Sequence, residues 1–321
     1  MVTRRAFGKA AMAGFTGAAL ASTRFAPSLT AARLDSTIEG VKVGAITYSF
    51  RDMPRIPGAD YLEAGIRGCV DCGIGAAELW ATMAQPQTML PRNGQYNPQL
   101  MDTPEMKKAR EEMRQWRIST PMSYWHGIRK RFDDVGIELI GYSLTLGDDF
   151  TDEELDTTFR AVRAMGVSHI GTNQMRVAMG RRAAPFAEKY KVTLGFHNHT
   201  LVDDPNEIAS IASFQRVMDM SPFFKVNLDI GHFTAANLDA VDYMRKHHQS
   251  ITYVHLKDRR RDNGPNAPWG HGETPVREVL QLIKHERYPI PVVIEYEYMS
   301  ERSAVDEVRR CMDFIREALR S

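Results

Sequence analysis

The sequence predicts an α/β fold, a single (β/α)8 barrel of parallel strands, and three observations predict it. Four late segments, residues 192–197, 224–229, 251–255 and 291–295, each run through apolar and β-branched residues. They end on His197, Asp229, His255 and Glu295 and break at once into polar sequence. Helical stretches separate these strands, which argues for a parallel sheet. The chain has 321 residues, 43% of them hydrophobic, and one barrel of about 250 residues plus a leader fits that length.

The alternation begins with strand one at 41–47, which ends beside Tyr48, Ser49 and Phe50. A helix over 61–72 leads to strand two, 75–80, with Glu78 near its end. A long excursion follows, rich in Pro, Gln, Asn and Met over 81–103. Helices are expected at 104–116, with Pro104 at the start, and at about 121–134. This loop-helix insertion after strand two is expected over the active face, because the loops that follow barrel strands emerge there. Trp80, Met83, Met89 and Trp125 either line a pocket there or pack beneath the loop. Strand three is read at 137–141. Thr151 and Glu154 have capping-box spacing for a helix to Met165. Strand four is 168–171, and a closing helix spans 304–319.

The leader has its own signature. Thr3-Arg-Arg-Ala-Phe-Gly-Lys9 resembles a twin-arginine export signal, followed by a small and apolar run to Ala21. The expected division is a signal peptide at 1–21, a polar linker at 22–40 and the barrel at 41–321. This predicts passage through the twin-arginine machinery to the periplasm or cell exterior. Beyond the leader no segment is long enough to span a bilayer. A net charge of +1 supplies no electrostatic footprint for nucleic acid. The three cysteines form no disulfide framework; Cys69 and Cys72 make a CxxC that is either two buried thiols or a redox or zinc pair.

In a closed parallel barrel all strands end on one face, so His197, Asp229, His255 and Glu295 converge. Two imidazoles and two carboxylates suit one divalent ion, with manganese expected first and cobalt, zinc or magnesium as alternatives. Glu297 competes with Glu295, being two residues on and on the same face. Lys257 lies two residues past a ligand and points to the same side. His199 either orients His197 or touches substrate.

The ordered motifs Leu228-Asp-Ile-Gly-His232 and Val254-His-Leu-Lys-Asp258, with a strand-final Glu295, resemble the xylose-isomerase-like TIM-barrel superfamily of sugar isomerases and epimerases, which includes the endonuclease IV branch. The resemblance implies a metal held by Glu, Asp, His and Glu after strands five to eight, the last three matching Asp229, His255 and Glu295. Here His197 replaces the first. In the epimerases that Glu is also the proton-transfer base, and a ligating imidazole has no spare oxygen for the task. The resemblance makes His232 a substrate-binding residue. It also relates Gly270-His271-Gly-Glu273 to a Gly-Glu-Gly-Glu loop. Catalytic candidates are Glu295, Lys257 and His199; substrate-binding candidates are His232, Glu78, Tyr48 and His271. For Glu78, His199 and His271 a loop-fixing hydrogen bond is an equal alternative.

The expected function is metal-dependent isomerisation or epimerisation of an unphosphorylated sugar or keto-sugar, by proton removal next to a carbonyl. No Gly-rich phosphate loop is present. A lyase or hydratase cleaving 3-keto-glycosides and a non-catalytic sugar-binding protein are the alternatives. An endonuclease needs further ligands on the early strands, where only Glu78 and His169 stand near strand ends. Partners are thus a sugar or glycoside, with no nucleic acid and no stable membrane anchor; a homo-oligomer stays open.

Overall fold

The structure, a computed structural model, describes residues 32–54, 60–86, 103–172 and 175–320. The leader, residues 22–31 of the linker and Met89 lie outside them. Eight strands make the barrel: β1 Val41–Ile46, β2 Ala76–Trp80, β3 Glu138–Ser143, β4 His169–Thr172, β5 Thr193–His197, β6 Phe224–Asp229, β7 Ile251–Leu256 and β8 Val292–Ile294. Each pairs in parallel with the next, and β1 pairs with both β2 and β8, so the sheet closes. Glu295 lies one residue past β8, yet its N–H still donates to the Leu256 carbonyl at 3.0 Å. The ladder therefore holds the start of its loop.

Predicted strand ends agree with observed ones within about two residues, because β-branched runs stop where polar side chains meet the rim. Thr47 departs from its predicted strand and starts a 3-10 turn, Thr47–Phe50, that carries Tyr48 to the mouth. Between β2 and β3 run helices Pro104–Ser119 and Met122–Asp134, the first capped by the Thr103 side chain accepting from Met106 N–H. Thr151 caps Asp152–Ala164 in the same way, accepting from Glu154 N–H. The helix Val177–Tyr190, with Pro185 inside it, was not picked out from sequence. Ala304–Arg320 closes the fold by packing against the helices Val276–Glu286 and Tyr61–Asp71.

One large apolar cluster fills the space between strands and helices, and a small one, Ile46, Tyr253 and Val293, lies inside the barrel. Met83 and Trp125 are buried in the larger cluster. Trp125 packs edge-on against Trp116, Tyr124 and Tyr142, so both residues are packing rather than pocket lining. Trp80 is half-buried against the Tyr48 ring. The three cysteines are free and buried, and burial pushes the Cys72 thiol up to about 12; they are ordinary core thiols. His169 begins β4 at the end of the barrel opposite the ligand-bearing strand ends, where it lines a separate cavity with Lys42 and Glu138. No helix among the described residues is long and apolar enough to cross a membrane.

The barrel interior also holds a charged group, the Glu78 carboxylate, with no exposure. Gly171 on β4 makes room for it: a Cβ there would collide with Glu78 Oε1 and lie 2.7 Å from the Tyr253 hydroxyl. Gly171→Ala is therefore expected to destabilise the protein by about 1–3 kcal/mol, the usual cost of overpacking. Urea unfolding measures it, and an unchanged midpoint would contradict the crowding.

Candidate metal centre

Asp229 ends β6 and begins the short helix Ile230–Ala235, so one carboxylate has two tasks. Its Oδ1 accepts from His232 N–H at 2.6 Å, capping the helix. Its Oδ2 is buried and has no hydrogen-bond partner. That oxygen faces His197 Nε2 at 3.6 Å and Lys257 Nζ at 3.1 Å. One nitrogen or oxygen from each of His197, Asp229, His255 and Glu295 lies within 4.8 Å of the others, and all four residues are buried. The predicted ligands are thus brought together. Donors of mixed imidazole and carboxylate type around an orphaned buried oxygen fit a divalent cation.

Neighbours hold each donor. Asn198 clamps the Asp229 backbone from β5, donating from Nδ2 to its carbonyl and accepting its N–H, both at 3.0 Å. His255 lies between two carboxylates, with Nε2 2.6 Å from Glu78 Oε2 and Nδ1 3.1 Å from Glu295 Oε2. Tyr253 donates to the other Glu78 oxygen. Glu78, expected to meet substrate at the mouth, instead lies beneath His255 and orients it. This is the carboxylate–histidine support that metal-ligating imidazoles need, and it leaves Nδ1 as the atom that would ligate an ion. The motif glycine Gly231 is explained by close approach, since a Cβ there would collide with the Lys257 side chain and lie 2.9 Å from its carbonyl.

Electrostatics reinforce the arrangement. Burial raises the Asp229 carboxyl to about 7, and the nearby Glu295 adds to the rise, against the pull of Lys257. Two carboxylates this close resist joint ionisation, and a cation between them relieves it. Burial alone would lower His255, but Glu78 and Glu295 outweigh it and raise it to about 10. Burial would likewise discharge Lys257, yet Asp229, Glu295 and Glu297 hold it charged. Its ammonium is 3.2 Å from Glu295 Oε2 and 2.7 Å from Glu297 Oε2. Burial, followed by Lys257, lowers His199 to about 4, so this imidazole is neutral at pH 7.

The remaining candidates separate. Tyr48 donates to Glu297 Oε1 at 3.3 Å, and Asn266 donates to Glu297 Oε2 at 3.2 Å. Glu297 is therefore a half-buried carboxylate at the rim, and the buried Glu295 belongs to the ligand cluster. His232 stacks edge-on with His199 at 4.9 Å between ring centres. His271 is exposed on a loop whose backbone is held elsewhere: Asp258 accepts from the N–H groups of Gly270, Gly272 and Thr274. Sequence reasoning missed Asn198, Tyr253, Asp258 and Arg259 as supporting residues. Asp258 ends the motif at 254–258 and Asn198 stands between His197 and His199, so these two had a local signal that could have found them.

Residues 69–318 match the family described as xylose isomerase-like TIM barrel, and the chain belongs to that family. A curated relative, the L-ribulose-5-phosphate 3-epimerase UlaE of Salmonella paratyphi A, is 23% identical over 138 residues, 42% of this chain. The chain matches 47% of that relative's length, less than half. Among solved structures, the probable 3-DHS dehydratase AsbF of Bacillus anthracis superposes with a TM-score of 0.57 at 15% identity, covering 85% of this chain and 98% of that one. The 3-keto-D-glucoside 4-epimerase YcjR of E. coli gives 0.57 at 10% identity, covering 86% and 99%. At these identities the likeness shows the fold alone. The fold is that of sugar isomerases and epimerases.

Two outcomes follow from the centre. Ligation through His255 Nδ1 requires loss of a proton, so metal uptake should release protons and tighten as pH rises toward about 10. Calorimetry in buffers of different ionisation heat checks this, and an affinity independent of pH would point to other donors. Glu78→Gln should weaken metal binding about 10–100-fold, as loss of such support does elsewhere, read by competition with a chelating dye.

Proposed function

We propose that the protein is a divalent-metal-dependent isomerase or epimerase of an unphosphorylated sugar or keto-sugar, exported by the twin-arginine route through residues 1–21 and active outside the cytoplasm. The observation that carries the reading is the orphaned Asp229 Oδ2 inside the cluster of His197, His255 and Glu295. Membership of the xylose isomerase-like family supports the sugar substrate. Manganese is the first candidate metal, with cobalt, zinc and magnesium behind it.

His197, Asp229, His255 and Glu295 would hold the ion, which supplies a Lewis acid for a carbonyl or hydroxyl oxygen. Lys257, buried and kept charged by three carboxylates, places a fixed positive charge beside the oxygen that becomes anionic when the neighbouring carbon loses its proton. Tyr48 and Asn266 hold Glu297 at the rim, where it can orient sugar hydroxyls. His199, whose ring lies against His197 and His232, is the candidate acceptor of the carbon-bound proton.

His197 also favours a second reading, elimination from 3-keto-glycosides. A histidine at this position leaves one carboxylate fewer for returning a proton to carbon, and departure of an aglycone needs no such return.

Incubating the metal-loaded protein with keto-sugars in deuterated water tests both. Deuterium in an isomeric sugar supports isomerisation, and release of an aglycone supports elimination. Chelation and Asp229→Ala should each lower turnover by at least about 100-fold. Full turnover after either would end the metal-dependent reading. Retention of the protein in the cytoplasm of a host lacking twin-arginine transport, with release in the parent, is the expected result for export.

A further inference from the structure

A cleft of about 380 Å3 opens between residues 200–204, 235–237 and 262–263, in the segments that follow β5, β6 and β7. That volume is in the range of small-molecule sites. Parallel strands send these segments to the face that carries His197, Asp229 and His255, and the chain keeps the cleft close to those donors. Thr200 directly follows His199 and is three residues past His197, so it lies within about 10 Å of that ligand. Ala236 N–H donates to the His232 carbonyl at 2.9 Å, which puts Ala235 and Ala236 one helical turn from that imidazole. Asp262 and Asn263 belong to the hairpin of Asp258–Arg259 and Asn266–Ala267. Gly264, beside them, accepts from Arg259 Nε at 3.1 Å, and Arg259 Nη1 lies 2.6 Å from His232 Nδ1. His197, Asp229, His255 and Glu295 are buried, whereas His199 and His232, the residues next to the cleft, are half-buried and reach solvent.

Polar side chains around the cleft are spent largely on one another. Thr200 Oγ1 donates to Asn263 Oδ1 at 2.8 Å. Asn237 Nδ2 donates to Asp262 Oδ1 at 3.0 Å, and Asn237 Oδ1 accepts from Asp262 N–H at 3.1 Å. Asp204 Oδ1 accepts from Asn206 N–H at 2.8 Å. What remains for a ligand is apolar: Leu201 and Val202, 57% and 43% exposed, together with Ala235 and Ala236. Adjacent large apolar side chains held out in solvent beside a site mark a contact surface. Asp203, Asp204 and Asp262 line the cleft and, among the described residues, no Lys or Arg does, so its field repels anionic groups.

We infer that this cleft is a subsite for an uncharged apolar group carried by the sugar, so that the substrate is a glycoside with a neutral apolar aglycone rather than a free or anionic sugar. The span from the donors to the cleft, at most about 10 Å, is one that a single sugar ring and its glycosidic oxygen can bridge. Placing the sugar end at the donor cluster rests on the function proposed above; the cleft's preference for an apolar group does not.

Two measurements on the full chain test it. In the first, Leu, Val and Ala methyl groups are labelled and phenol alone is titrated in. Methyl signals of Leu201, Val202 and Ala236, identified by their loss in Leu201→Ser, Val202→Ser and Ala236→Ser, should shift most; no shift at these residues overturns the inference. In the second, the metal-loaded protein is given each sugar that it turns over as the methyl, phenyl and 4-carboxyphenyl glycoside. The phenyl glycoside should have a KM about tenfold below that of the methyl glycoside, the gain from burying part of an aromatic ring. The 4-carboxyphenyl glycoside should lose that advantage, and Leu201→Ser combined with Val202→Ser should abolish it. Equal KM values for phenyl and methyl glycosides, an advantage that survives the double variant, or an equal advantage for the carboxylate overturns the inference. If no sugar is turned over in any form, the proposed function falls, and the phenol titration alone decides the cleft.

Discussion

Three carboxylates, Glu78, Asp229 and Glu295, are buried together where the barrel opens, and the rest of the site is arranged around that fact. An unpaired buried charge costs several kcal/mol, so each must be matched or neutralised. Glu78 is matched by His255 and Tyr253, and Glu295 by His255 and Lys257. Asp229 Oδ2 shares the Lys257 ammonium at 3.1 Å and takes no hydrogen bond. A cluster of imidazoles and carboxylates with an acceptor that takes no hydrogen bond has the donor set that suits a divalent cation.

The layered order of these contacts matters. Glu78 lies below, inside the barrel; the four donors form the next layer; Lys257, His232 and Glu297 lie above, toward solvent. With His197 rather than a carboxylate at the end of β5, the candidate ligand set holds two carboxylates, the number that balances a divalent ion.

Positioning depends on short-range backbone devices as much as on charge. Asn198 locks the end of β5 to the end of β6, Asp258 gathers the loop over 270–274, and Arg259 ties its hairpin to His232. Each device joins segments already adjacent in space, and each leaves a reactive side chain with few available orientations. Such preorganisation limits the rearrangement needed when charge develops on a substrate.

The barrel and the donors at its mouth were legible in the residues themselves. Apolar and β-branched runs ending in His197, Asp229, His255 and Glu295 carry both strand and ligand information, because a parallel barrel sends every strand end to one face. The supporting layer was not. Glu78 is 175 residues from Tyr253 and 177 from His255 in the chain, and no local pattern says that its side chain turns inward. Met83 and Trp125 read equally as pocket lining or core until helix packing buried them. Sequence alone determined which strand ends carry donors, since alternation and polarity are local properties. Tertiary structure alone decided which acid supports His255 and which amide clamps Asp229, since both depend on contacts between segments far apart along the chain.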